Sequence, residues 1–200
     1  MGYIIKESVE ELISSDESIE KNNKQKEYLA YINNHILNVQ RIYVKFFLPL
    51  LEKDNLSTFL SDQEIKEAIN RASVSVADHD LSKYGDEEFD GYREKYYPTA
   101  TERADPDYEQ KSKERFQKAW DHHSKTNWHH QNYWIDDTTG TIKDMNLEAI
   151  IEMLCDWMSF DSDIDKTIEW YNTKAYTEKK MMSENTKRIV EEFLFHILKS

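Results

Sequence analysis

Cysteine is almost missing from these 200 residues: Cys155 stands alone, so no disulfide can close within the chain, and such usage fits a reducing compartment. Four glycines and three prolines leave few places for the backbone to turn sharply, which argues for long helices and few loops. Long apolar runs are lacking too. The most apolar stretch, Phe46-Phe47-Leu48-Pro49-Leu50-Leu51, is far short of the ~20 residues a membrane span requires. The acidic N-terminus has neither the basic nor the apolar region of a signal peptide, so a cytoplasmic location is expected. Positive charge is scarce: 26 Lys and Arg face 39 Asp and Glu, a formal net charge of −13. That balance argues against partners such as duplex nucleic acid or an anionic membrane, both of which call for clustered Lys and Arg. A phosphate compound would have to be drawn in locally by bound cations.

What the chain has is enough apolar and aromatic material for a core, 38% and 12% of residues, despite 32% charged ones. A single domain over 1–200 is expected, its core at about 28–175 with N- and C-terminal helices packed on it. Ile4, Ile5, Val9 and Leu12 predict a short amphipathic helix over 4–13, followed by a polar stretch over 14–26. Leu29, Ile32, Ile36, Val39, Tyr43, Phe46 and Leu50 then recur at steps of three and four, one face of a long helix that ends near Pro49 and Asp54-Asn55. Ser61-Asp62-Gln63-Glu64 reads as a capping box opening the next helix. Further helices are expected over 87–97, 107–123, 146–160, 163–175 and 184–198, with 98–106 a loop and 136–141 a turn or small hairpin. No segment alternates convincingly as a strand, so the fold class is all-α.

The chemistry lies in histidine and aspartate. Five of the seven histidines fall between positions 79 and 130, and four of these, His122, His123, His129 and His130, lie within nine positions. Histidine is the commonest metal ligand, and neighbouring carboxylates suit harder divalent ions. His79-Asp80 lies just past the helix opened at Ser61, with His35 upstream and Asp156 downstream. Successive residues on a helix point about 100° apart, so His79 and Asp80 can hold one ion only where the helix end lets them converge. Asp156, embedded in an apolar helix between Cys155 and Trp157, needs a compensating partner if buried, and a cation is one. Trp120, Trp128, Tyr133 and Trp134 suggest partial burial of the histidine tract, with His122 directed away; a solvated tract is the competing reading. Cys155 and His196 read as packed core residues.

His35, His79-Asp80 and Asp156 in that order resemble the HD-domain superfamily of metal-dependent phosphohydrolases, over roughly residues 28–157. Val39 matches the family's His-x-x-x-Val turn, and Lys83 resembles the His-Asp-x-x-Lys form of its cyclic-dinucleotide phosphodiesterase branch. The chain departs from that branch where Gly-Tyr-Pro should follow paired histidines and Gln131-Asn132-Tyr133-Trp134 stands instead. The segments His79-Asp80-Leu81-Ser82-Lys83-Tyr84, Asn127-Trp128-His129-His130-Gln131-Asn132-Tyr133-Trp134 and Glu152-Met153-Leu154-Cys155-Asp156-Trp157 also resemble an uncharacterised family of bacteria and their phages.

The HD resemblance implies an HD-like helical bundle and a metal-dependent phosphoric ester hydrolase acting on a nucleotide or other small phosphorylated compound. It implies one or two divalent ions (Mn, Fe, Co, Ni, Zn or Mg) as cofactors. His35, His79, Asp80 and Asp156 would hold the first, and Asp80 would bridge to a second held by His123, His129 and His130. Lys83 would bind phosphate or orient water, and Glu87 or Glu88 would serve as an acid or base. A di-iron HD-like oxygenase and a non-enzymatic binding protein, such as a phage-encoded inhibitor, are the alternatives. A homo-oligomer is compatible with the sequence.

Overall fold

The computed structural model describes residues 2–199, with side chains from residue 16 onward, and it is all-α: 74% helical, with no strand among the described residues. Among the described residues the α-helices follow in order: α1 (Gly2–Ile42), α2 (Asp62–Ala77), α3 (Phe89–Tyr96), α4 (Ala100–Ala104), α5 (Tyr108–Thr126), α6 (Leu147–Ser159), α7 (Ile164–Thr173), α8 (Tyr176–Lys180) and α9 (Glu184–Phe195). They form two compact units. One comprises the residues up to Asn33 with Ser82–His123, the other Asn34–Leu81 with the chain from Ser124 onward.

In the first unit, α1 is continuous where the sequence reading places a break over 14–26. That stretch contains no glycine or proline, and its polar side chains find partners: Lys24 pairs with Glu27 at 2.9 Å, Glu20 accepts the Ala100 N–H, and Glu17 accepts the Thr101 hydroxyl. The last two place carboxylates at the N-terminus of α4, where a helix favours negative charge. The apolar face expected from Ile4, Ile5, Val9 and Leu12 lies outside the described side chains. The 98–106 segment, read as a loop, contains α4 because Thr99 and Glu102 form a reciprocal capping box. Gly91 is required where α3 meets α5. A Cβ there would come within 2.7 Å of the Ala119 Cβ and 2.8 Å of the Arg115 carbonyl. Arg93 is fully buried beside it and is neutralised by Glu102 at 2.7 Å and Glu94 at 3.1 Å.

The second unit holds the larger apolar core. Ser61 caps α2 as its sequence predicts, the Glu64 N–H donating to the Ser61 hydroxyl and the Glu64 carboxylate accepting the Ser61 N–H. Ile65, Ala68, Ile69, Ala72 and Val76 line the buried face of α2, which packs along α6 through Ile150, Ile151, Leu154 and Met158. Each such Ile, Val, Leu or Met side chain contributes roughly 1.5–3 kcal/mol on burial. The α1 stripe continues into this unit through Ile36, Val39 and Tyr43, then leaves regular geometry in one wide turn over Tyr43–Phe47 before Pro49. The Tyr43 hydroxyl donates to the Ile69 carbonyl at 2.6 Å and ties that turn to α2. Cys155 is buried in the core as expected. His196 is not packed: it is exposed at the C-terminal end of α9, where its N–H still reaches Glu192 but its ring lies outside the apolar face. A single antiparallel bridge, Ile135 to Ile142, closes the turn over 136–141.

Candidate metal centre

The site in the second unit starts where α2 stops. The Asp78 N–H makes the last helical bond, to Val74, and Asp80 then adopts a left-handed backbone with φ of +58°. Aspartate enters that conformation more readily than most residues, because its short side chain bonds locally. Leaving the helix lets two adjacent side chains converge, and His79 Nε2 lies 3.5 Å from Asp80 Oδ2. His35 enters from α1, its Nε2 standing 3.3 Å from His79 Nε2, 3.4 Å from Asp80 Oδ2 and 3.2 Å from Asp156 Oδ1. Asp156, on α6, is 3.7 Å from His79 Nε2.

These spacings have a simple meaning. Ligand atoms bonded to one divalent ion at about 2.1 Å, with angles near 90–110°, stand roughly 3.0–3.4 Å from each other. His35 Nε2 and His79 Nε2 therefore stand with Asp80 Oδ2, and likewise with Asp156 Oδ1, at or a few tenths of an ångström beyond the spacing of a shared cation. His35, His79 and Asp80 are buried and Asp156 is 15% exposed at its side chain. This donor set of imidazole nitrogens and carboxylate oxygens suits a divalent transition ion.

Glu152, unnoticed in the sequence, organises the site from behind. It lies one turn before Asp156 on α6, and its Oε1 is 2.9 Å from both His79 Nδ1 and His129 Nδ1. The indole N–H of Trp128 donates to its Oε2 at 2.6 Å. Burial alone would raise the Glu152 carboxyl, but His129 and His79 pull it down to about 2, so it is ionised and accepts from both rings. With the Nδ1 atoms so engaged, the Nε2 atoms are the ones presented to a ligand. Burial would lower His79, yet Asp80, Asp156 and Glu152 carry it up to about 10; against the same burial, Asp156 and Asp80 raise His35. The Asp156 carboxyl, which burial would raise, is driven well below the usual range by His35 and His79. Three carboxylates thus surround three imidazoles, a cluster that demands positive charge.

Asp80 serves a second group with its other oxygen. Its Oδ1 lies 3.5 Å from His129 Nε2, and Asp80, His129 and His130 offer ligand atoms within 4.8 Å of one another. The sequence signal for Glu152 was the one that found Asp156, a carboxylate inside an apolar helix run; the further clue was its i, i+4 spacing to Asp156. A cavity of about 300 Å³ reaches His129 and Glu152 between Asp78, Asn127 and Trp128.

The other residues singled out in the sequence lie in the first unit. Glu88 is fully buried and accepts from Nδ1 of both His122 and His123 at 2.8 Å. Burial opposes this ionisation, but His123 and His122 keep the Glu88 carboxyl below its ordinary value. Glu87, its neighbour, is exposed. The Lys83 ammonium lies 5.2 Å above the Tyr92 ring.

The chain belongs to a family of unknown function, DUF5662, whose model matches residues 24–196. No curated protein and no solved structure matches it. No described helix is long and apolar enough to cross a membrane.

Proposed function

We propose that the protein is a metal-dependent phosphohydrolase acting on a nucleotide or another small phosphorylated compound, with an HD-like ligand arrangement. The observation that carries this reading is that His35 and His79 stand 3.3 Å apart at their Nε2 atoms and each lies 3.2–3.7 Å from a carboxylate oxygen of both Asp80 and Asp156. These residues would hold one divalent ion, and Asp80, His129 and His130 would contribute to a second. When bound, such ions supply Lewis acidity, acidifying a water and offsetting charge on phosphoryl oxygens. The chain itself does the positioning. Glu152 fixes which nitrogen of His79 and of His129 faces the centre, and Trp128 fixes Glu152. Asp80 presents one oxygen to His35 and His79 and the other to His129. The surrounding burial removes competing water, which strengthens each charge interaction in the site.

The test is elemental analysis of untagged protein combined with phosphate release from a nucleotide panel under anaerobic conditions. Asp80→Asn is the informative variant, since asparagine also accepts the left-handed backbone and the change isolates the charge. The expected result is one to two equivalents of a divalent transition ion in the wild type. In the variant most of that metal is lost, and phosphate release falls by orders of magnitude with the circular dichroism spectrum retained. Equal metal content in both proteins, or turnover that requires oxygen, would overturn the reading.

A further inference from the structure

Phe160 is an exposed apolar residue beside the candidate metal centre. It caps α6 and its side chain is 71% exposed, although one ring contact is fixed: its centroid lies 5.4 Å from that of His35, at 32°. Phe160 follows Asp156 by four residues, so ligand and ring lie on the same face of the end of α6. Phe160 also lines a cavity of about 360 Å³, together with Trp157, Asp161, Lys166, Thr167 and Trp170. That volume falls within the ~300–1,000 Å³ common for small-molecule sites.

We infer that this cavity binds the base of a nucleoside whose phosphate end faces the metal centre. The inference rests on the proposed phosphohydrolase reading and names its substrate class. Three features select a planar heteroaromatic ring. Trp157 and Trp170 meet edge to face, centroids 5.0 Å apart at 64°, and both stay half-buried, so their π-surface is not consumed by stacking on each other. Aromatic faces of this kind bind bases of any sequence by stacking. At the mouth, Lys166 and Asp161 pair at 2.8 Å, placing a donor and an acceptor side by side. The edge of a base carries donors and acceptors at a similar spacing, whereas an aliphatic chain would leave this pair unused. Charge makes the third argument. With a net charge of −13 the chain offers an anion no long-range attraction, so an uncharged ring has to supply affinity that the phosphate cannot. The same charge disfavours a polynucleotide more strongly than a single nucleotide, whose phosphate charge is smaller.

The experiment uses the full chain, first stripped of metal with a chelator and then reloaded, and follows tryptophan fluorescence and equilibrium dialysis with adenosine, guanosine, cytidine and uridine. At least one nucleoside should bind in both states. Phe160→Ala, at an exposed position that the fold does not need, should weaken that binding by about tenfold or more, the size of one lost stacking contact. Lys166→Ala should weaken it by a smaller factor and change the preference among the four bases. Metal stoichiometry should be the same in Phe160→Ala as in wild type, and inorganic phosphate should not compete with nucleosides in the stripped protein. No nucleoside binding up to millimolar concentration, or equal binding by Phe160→Ala, would overturn the inference. Displacement of the nucleoside by an alkyl alcohol, or by a short oligonucleotide at far lower concentration, would overturn it in favour of an apolar chain or a strand. Because nucleoside binding is read without metal, a chain that holds no ion still tests this pocket. A chain that holds ions but ignores nucleosides loses this inference alone.

Discussion

Glu152 shows how much a single carboxylate can decide. One of its oxygens holds two imidazoles and the other takes an indole N–H, so its charge and its orientation are both used. Glu152→Gln keeps the size but cannot keep the bonding. With its carbonyl turned to the histidines, its amide would meet the Trp128 N–H donor to donor. Metal affinity, measured by competition with a chelator, should fall about 10–100-fold, as for other losses of a group that orients a ligand. Nitrogen NMR of the imidazoles should show the fixed Nδ1–H form give way to a mixture. Unchanged affinity and unchanged tautomers would refute the orienting role. At this scale the sequence was legible where a residue type announces its chemistry, as with His35, His79-Asp80 and Asp156. Glu152 was harder to see, because an isolated glutamate is ordinarily a solvated surface group and only its tertiary contacts bury it.

Among the elements, α2 and α6 matter most to the site, since α2 ends in His79-Asp80 and α6 carries Glu152 and Asp156. Their relative placement depends on the apolar seam between them. Ile69→Ala, fully buried in that seam, should cost about 2–5 kcal/mol of folding free energy, read as a lower urea midpoint. The folded fraction should still bind wild-type equivalents of metal, because no donor atom is touched; loss of metal without loss of stability would contradict this. Helix periodicity and the Ser61 box gave α2 and the α1 stripe their correct faces. The polar part of α1 was misread because apolar period is the main sequence signal for a helix, and there the helix is polar and held by ion pairs and by contacts to α4. The Thr99 box is as regular as the Ser61 one, but lies between two prolines that suggested a loop.

For the molecule as a whole, the histidine and carboxylate cluster links stability to pH. His79 is raised from 6.5 to about 10, so its contribution in metal-free protein is complete below pH 6.5 and is lost as pH rises toward 10. Glu152 is lowered from 4.5 to about 2, so its contribution is present above pH 4.5 and is lost as pH falls toward 2. From these two groups, metal-free protein should melt highest between about pH 4.5 and 6.5. A bound ion requires the histidines unprotonated, so the rise in Tm on adding metal should grow with pH above 6.5, with proton release on binding. Calorimetry across this range checks both trends, and a metal-induced rise that shrinks with pH would refute them. That the fold is all-α was readable from periodicity and the lack of glycine and proline; the division into two compact units was not, because no change in composition marks where the chain crosses between them.

The left-handed turn at Asp80 also bears on what such a chain can become. Of the residues that enter that conformation readily, glycine, asparagine and aspartate, only aspartate brings a charge to the ion. A change from aspartate to either of the others is a single-base step that leaves the bend, and with it the end of α2, undisturbed. The proposed metal chemistry of this molecule would therefore be switched off in one move while its architecture persists, leaving a helical scaffold free to acquire a role in binding alone.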